Sequence, residues 1–78
     1  MMADKVVHPG STYDVIELIG TSSTSWEDAA KNVIDEAAKH LRELRVAEVV
    51  KKDLVIKNGK VEAYRTKLKL SFKYEPHK

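Results

Sequence analysis

The chain has 78 residues, 14 of them basic and 12 acidic, and it contains no cysteine. This length gives one domain with a thin core, and because disulfides and thiolate metal sites are excluded, oligomerisation is the stabilising device that remains. The even charge balance indicates no general attraction to nucleic acid, and neither a membrane-length apolar run nor a signal peptide is present, so we expect a cytoplasmic protein without a membrane partner.

The predicted elements begin with a flexible arm over residues 1–11, which precedes a single domain over 12–75 and a short tail over 76–78. The first predicted strand runs from Tyr13 to Ile19 and carries apolar side chains on both of its faces. A strand of this kind is usually covered on both sides. We therefore expect a second body against the face that the chain itself does not cover.

A hydroxyl-rich turn and a helix follow the first strand. The side-chain oxygens of Thr21 to Ser25 can accept hydrogen bonds from the free N–H groups of a helix start. Apolar residues spaced by three and four predict a helix from Trp26 to Leu44, with Trp26 as a packing anchor at its start. Two capping pairs are compatible with this start, Thr24 with Glu27 and Ser25 with Asp28.

Two further strands are predicted, Val46 to Ile56 and Val61 to Tyr74. They are joined at Asn58-Gly59, which is typical of a hairpin with a type I′ turn. The two-residue loop sets a register that begins with Lys57 opposite Lys60. Farther along, this register pairs Arg65 with Lys52, Lys67 with Val50, Leu68 with Val49, Lys69 with Glu48 and Leu70 with Ala47.

The elements predict an α+β fold of order β-α-β-β. The helix crosses between the first and second strands, which run parallel, and the third strand lies antiparallel between them. The result is a three-stranded antiparallel sheet of order 1-3-2 wrapped around one helix. Because one helix covers only one face of a sheet, the second face is expected to be buried partly by another subunit.

No residue pattern supports catalysis, because the sequence has no cysteine nucleophile, no glycine-flanked serine and no histidine in a recognisable motif. A basic stripe on the third strand could hold a small anion, or it could be a solvated face neutralised by acids. A basic βαββ module that binds nucleic acid is the alternative from another class, although the aromatic residues of this strand alternate onto the helix side. The stripe consists of Arg65, Lys67, Lys69 and Lys73.

Only hard-ion chemistry is open for a metal, since cysteine is absent and the histidines are far apart. Calcium prefers six to eight oxygen ligands. The hydroxyl-rich turn is followed by Glu27 and Asp28, and Asp53 offers a carboxylate in the second strand. These three residues are the predicted metal ligands, while helix capping explains the same turn without an ion.

Three segments resemble the dodecins, small flavin-binding proteins that assemble into hollow shells of twelve subunits. The resemblance covers nearly everything from Tyr13 to Tyr74, and it implies a homododecamer whose second sheet face is buried between subunits. The segments are I-E-L-I-G-T-S at 16–22 leading into S-W-E-D-A-A, V-A-E-V-V at 46–50, and A-Y-R-T-K-L-K-L-S-F-K at 63–73.

The resemblance also marks two pocket positions. In flavin-binding dodecins a tryptophan opens the second strand and stacks on the flavin, and a glutamine after the tyrosine of the third strand hydrogen-bonds its edge. Here these positions are Val46 and Arg65, and R-V-A at 45–47 and K-L-S-F-K at 69–73 resemble the subgroup described as calcium-binding. The resemblance implies a non-enzymatic storage protein for calcium or a small anionic ligand, with riboflavin or FMN storage in an altered pocket as the alternative.

Overall fold

The architecture is a three-stranded sheet with one helix on one face. A computed structural model describes residues 10–74. Its central strand pairs antiparallel with both neighbours, so the predicted order 1-3-2 and the β-α-β-β topology are confirmed. The predicted arm falls largely, and the predicted tail wholly, outside the described residues. The elements are β1 (Tyr13–Ser22), α1 (Trp26–Ala38), β2 (Leu44–Lys57) and β3 (Lys60–Lys73).

The start of α1 uses one of the two predicted capping pairs. The Ser25 side chain is the N-cap and accepts a hydrogen bond from the Asp28 backbone N–H at 2.9 Å. The Asp28 carboxylate does not return this bond to Ser25; instead it accepts one from the Ser22 hydroxyl at 2.8 Å. The hydroxyl-rich turn therefore caps the helix start with one side-chain acceptor, Ser25, and donates to its first turn from Ser22.

The end of α1 corrects the prediction, because the helix stops at Ala38 and not at Leu44. The N–H groups of His40 and Leu41 both bond to the Ala37 carbonyl, which closes the last turn. Glu43 then adopts a φ of 61°, and β2 begins at the next residue. Leu41 and Leu44 still pack against the core from this connection, which is why their spacing resembled a continued helix.

The core lies between α1 and the inner face of the sheet, where Val33 and Ala37 pack on Leu68 and Leu70. The helix lies over β1 and β3 and makes few contacts with β2. No helix in the described part of the chain is long and apolar enough to cross a membrane. The helix thus covers the inner face of the sheet unevenly, and β2 is the strand that it covers least.

The hairpin turn has the predicted geometry, with φ of 54° at Asn58 and 74° at Gly59. Near the far end of β2 the predicted pairs of Leu68 with Val49, Lys69 with Glu48 and Leu70 with Ala47 are also confirmed. Between these ends the register is shifted by one residue. Two bulges bound the shifted stretch: Glu62 is an extra residue in β3, and Val50 is an extra residue in β2. Because the two extra residues lie in opposite strands, the second bulge restores the original register.

The shift changes the partners of two basic residues. Arg65 lies opposite Asp53, where the simple register had placed Lys52, and Lys67 lies opposite Lys51, where it had placed Val50. These two predicted pairs are wrong. The physical reason is that a hairpin turn fixes the register only as far as the first bulge.

Candidate ligand-binding face

The sheet surface that points away from α1, which we call the outer face, combines apolar and charged side chains. Val15, Ile19 and Val46 keep 54%, 51% and 45% of their surface exposed in the single chain. The predicted apolar character of β1 on both faces is thus confirmed. By strand alternation the outer face includes Val15, Glu17, Ile19, Thr21, Val46, Glu48, Lys51, Asp53, Arg65, Lys67, Lys69 and Ser71.

The most ordered polar feature of the outer face is an ion pair between Asp53 and Arg65. Arg65 donates from Nε to Asp53 Oδ1 at 2.7 Å and from Nη2 to Asp53 Oδ2 at 2.9 Å. This two-pronged geometry matches the flat edge of a guanidinium to a carboxylate. Hydrogen bonding and the charge of Arg65 lower the pKa of Asp53, although partial desolvation opposes the effect, and the same pairing raises the pKa of Arg65.

A pH titration provides a direct test of this pair. We expect the Asp53 carboxyl to stay ionised below its ordinary pKa of 3.8. The stabilisation from the pair is therefore present above that pKa and is lost as the pH falls through the lowered folded-state pKa. Carboxyl-detected NMR should show the Asp53 pKa rising toward its ordinary value in Arg65→Gln.

Lys67→Gln is the matched control, because it removes a basic residue from the same strand and face without touching Asp53. It should leave the Asp53 titration unchanged. Equal Asp53 pKa values in wild type and Arg65→Gln would contradict the assignment of the shift to this pair.

The predicted basic stripe is partly neutralised within the chain. Besides the Asp53 pair of Arg65, Lys67 Nζ lies 3.2 Å from Glu17 Oε1. Lys69 lies opposite Glu17 and Glu48 in the register but forms no ion pair with them in the described part of the chain. Ion pairs of this kind add little stability, but they reduce the charge that Arg65 and Lys67 can offer to phosphate groups.

Trp26 fixes the inner side of the same region. Its Nε1 donates to the Asp53 carbonyl at 3.0 Å, and its ring meets Tyr64 edge-on with centroids 5.3 Å apart. Lys52 Nζ lies 5.7 Å from the centre of the Trp26 ring. Trp26, the predicted packing anchor, thus also binds the backbone of β2 at Asp53. Arg65 binds the side chain of Asp53 on the outer face.

The three predicted metal ligands are not brought together in one chain. Glu27 and Asp28 lie in the first turn of α1, on the inner side of the sheet, whereas the Asp53 carboxylate lies on the outer face with Arg65. Within residues 10–74 no group of three or more His, Asp or Glu side chains is placed to hold a metal ion. Calcium takes six to eight oxygens, and residues 10–74 of one chain offer it no cluster of three carboxylates.

The two pocket positions share a face but are far apart. Val46 lies opposite Ser71 and Arg65 lies six positions away along β3, which at about 3.3 Å per residue is roughly 20 Å. A ligand the size of a flavin ring cannot touch both in one chain. A pocket that uses both positions must combine residues from two copies.

One functional candidate could not be found in the sequence. The Arg45 side chain is only 7% exposed and contacts Glu43 Oε1 through Nη2 at 2.7 Å. Its Nε has no hydrogen-bond partner. In the sequence, Arg45 is a single basic residue at the edge of an apolar segment, and nothing marks it as buried.

Comparison with known proteins gives one consistent result. The Dodecin family profile matches residues 12–75. A Mycobacterium tuberculosis protein named calcium dodecin is 42% identical over 66 residues, which are 85% of this chain and 93% of that protein.

Solved structures agree with this. The structure described as the calcium chelating immunodominant antigen, calcium dodecin, of M. tuberculosis is 43% identical, with a TM-score of 0.75 over 87% of this chain and 97% of that chain. Dodecin from Streptomyces coelicolor is 33% identical, with a TM-score of 0.83 over 90% of this chain and all of that one. The fold, the register of the outer face and these similarities together show that the chain belongs to the dodecin family.

Proposed function

We propose that this protein is a non-enzymatic subunit of a homododecameric shell, and that the shell binds a hard cation such as calcium in place of a stacked flavin. The observation that carries the proposal is the composition of the outer face at the two pocket positions. Val46 offers no aromatic ring for stacking. Arg65 already donates from Nε and Nη2 to Asp53, so this edge of its guanidinium is occupied.

Assembly is supported by the exposed outer face and the small core. Five apolar residues are buried in the described part of the chain, whereas Val15, Ile19 and Val46 are about half exposed. Covering such branched side chains contributes about 25 cal/mol for each Å² removed from water. A second copy on the outer face supplies the missing cover, as the family resemblance implies.

We expect a cation site to draw carboxylates from more than one copy, because residues 10–74 of one chain bring no three of them together. Of the predicted ligands, Asp53 is the one that lies on the face to be shared. Glu17 and Glu48 on the same face add further carboxylates. The similarity to a protein named calcium dodecin supports calcium as the ion to test first.

Native mass spectrometry with calcium titration tests both parts of the proposal. We expect twelve subunits without added ligand, calcium uptake measured by equilibrium dialysis, and unquenched riboflavin fluorescence on addition of the protein. Asp53→Asn combined with Arg65→Gln removes the carboxylate while keeping the pair neutral, and we expect it to abolish calcium uptake. Asp35→Asn, on the exposed side of α1, is the control and should bind like wild type. A monomer, or a shell that takes up no calcium at millimolar concentration, would contradict the proposal.

A further inference from the structure

A groove lies between α1 and β2, where the helix leaves the sheet uncovered. Its volume is about 190 Å³. Ile34 and Val46 at its edges are 39% and 45% exposed, and its lining is apolar apart from one guanidinium. The α1–β2 groove is lined by Ile34, Leu44, Arg45, Val46, Ala47 and Leu70.

Arg45 makes this groove unusual, because the Nε of this buried cation has no acceptor. In Arg65 both Nε and Nη2 donate to Asp53, whereas in Arg45 Nη2 contacts Glu43 Oε1 and Nε has no partner. Arg45 Nε is the one buried side-chain nitrogen or oxygen of residues 10–74 that has no hydrogen-bond partner. Buried donors are almost always satisfied in folded proteins, so this one indicates a missing acceptor.

We propose that the α1–β2 groove is a docking site for a second copy of this chain, which places a carboxylate against Arg45. The inference rests on the proposed shell and adds to it a specific contact between subunits. Val46 belongs both to the groove and to the outer face, so the two surfaces are continuous. A docking chain brings apolar side chains for the lining together with a carboxylate for the guanidinium, which a small anion from solution does not.

The chain carries suitable carboxylates. Five acidic residues form no ion pair within the described part of the chain, and one of them, Asp28, is hydrogen-bonded to the hydroxyls of Ser22 and Thr24. The carboxylates of the other four are open to a partner's arginine: Asp14, Glu27, Glu48 and Glu62. Docking requires a local shift, because Arg45 Nε is closed off from water in the single chain. Glu43, two residues before Arg45, lies in the left-handed region at φ 61°, which places the strained end of this connection beside the groove.

Two variants separate the contact between copies from the contact within the chain. Arg45→Lys keeps the charge but lacks the guanidinium Nε. In native mass spectrometry, half of its chains should be assembled only at a protein concentration about tenfold higher than wild type needs. Glu43→Gln removes the intrachain acid and keeps Nε, so its assembly should match wild type. Circular dichroism establishes that each variant folds, and Arg45→Met, which keeps the apolar stem, should repeat the result of Arg45→Lys.

Double-mutant cycles then identify the carboxylate. Asp14→Asn, Glu27→Gln, Glu48→Gln and Glu62→Gln are each combined with Arg45→Lys, and one of them should weaken assembly alone while adding nothing in the combination. A wild-type monomer would overturn the proposed shell itself.

Three results would overturn only the Arg45 contact, provided that the wild type assembles. They are normal assembly of Arg45→Lys, equal losses in Arg45→Lys and Glu43→Gln, and additivity in all four cycles. An Arg45→Lys shell that assembles normally but no longer binds acetate would assign the groove to a small anion and would also overturn it.

Discussion

Replacing Gly20 with alanine is expected to destabilise the fold by about 3 kcal/mol, although the change adds one methyl group. Gly20 is buried in β1 under α1, and an added Cβ would overlap the carbonyl oxygen of Ala29 and a methyl group of Val33. Backbone atoms of a packed helix cannot move aside as a flexible side chain can. Because a chain of this size gains little more than 3–5 kcal/mol from its core, most of its stability would be lost.

Gly59→Ala is the control for this substitution. Gly59 has a φ of 74°, but no atom lies within 4 Å of an added Cβ. Its replacement should therefore cost only the strain of a left-handed residue, about 1 kcal/mol. Urea unfolding followed by the fluorescence of Trp26 measures both variants. The steric argument fails if Gly20→Ala lowers the free energy of unfolding no more than Gly59→Ala does.

The elements that could be predicted from the sequence are those set by local rules. Asn58-Gly59 determines the turn, and alternation along β3 determines which residues face α1, so the topology and the inner face follow. The helix end could not be predicted, because Leu41 and Leu44 pack on the core from outside the helix. Their spacing reports burial, and burial alone does not distinguish a helix from a loop that lies over the same core.

The site shows the same division. Alternation correctly placed Val46 and Arg65 on one face. The Asp53–Arg65 pair was missed, because it depends on two bulges whose extra residues, Val50 and Glu62, are chemically ordinary. The bond from Trp26 to the Asp53 carbonyl joins residues 27 positions apart and likewise has no local signal. Contacts of this kind follow from the packed structure and not from a spacing in the chain.

Val46→Trp combined with Arg65→Gln is expected to create riboflavin binding in this protein. The family resemblance marks these two positions as the stacking ring and the amide donor of the flavin pocket. Stacking on an aromatic side chain is worth about 1–3 kcal/mol per ring, which corresponds to an affinity gain of about 5–150-fold. Because the substitution of Arg65 leaves Asp53 unpaired, the new pocket should favour neutral riboflavin over the anionic FMN. Quenching of flavin fluorescence on titration measures both ligands.

Val15→Trp combined with Arg65→Gln is the matched control, since Val15 is also about half exposed on the outer face but is not a pocket position. If a tryptophan anywhere on this face were enough, this control would quench riboflavin as strongly as Val46→Trp combined with Arg65→Gln. Strong quenching by the wild-type protein would instead show that it stacks flavin without these residues, and the proposed preference for a cation would be wrong. Quenching confined to the variant that carries Val46→Trp would mean that, once Arg65 is replaced, a ring at position 46 is what the outer face lacks for flavin stacking.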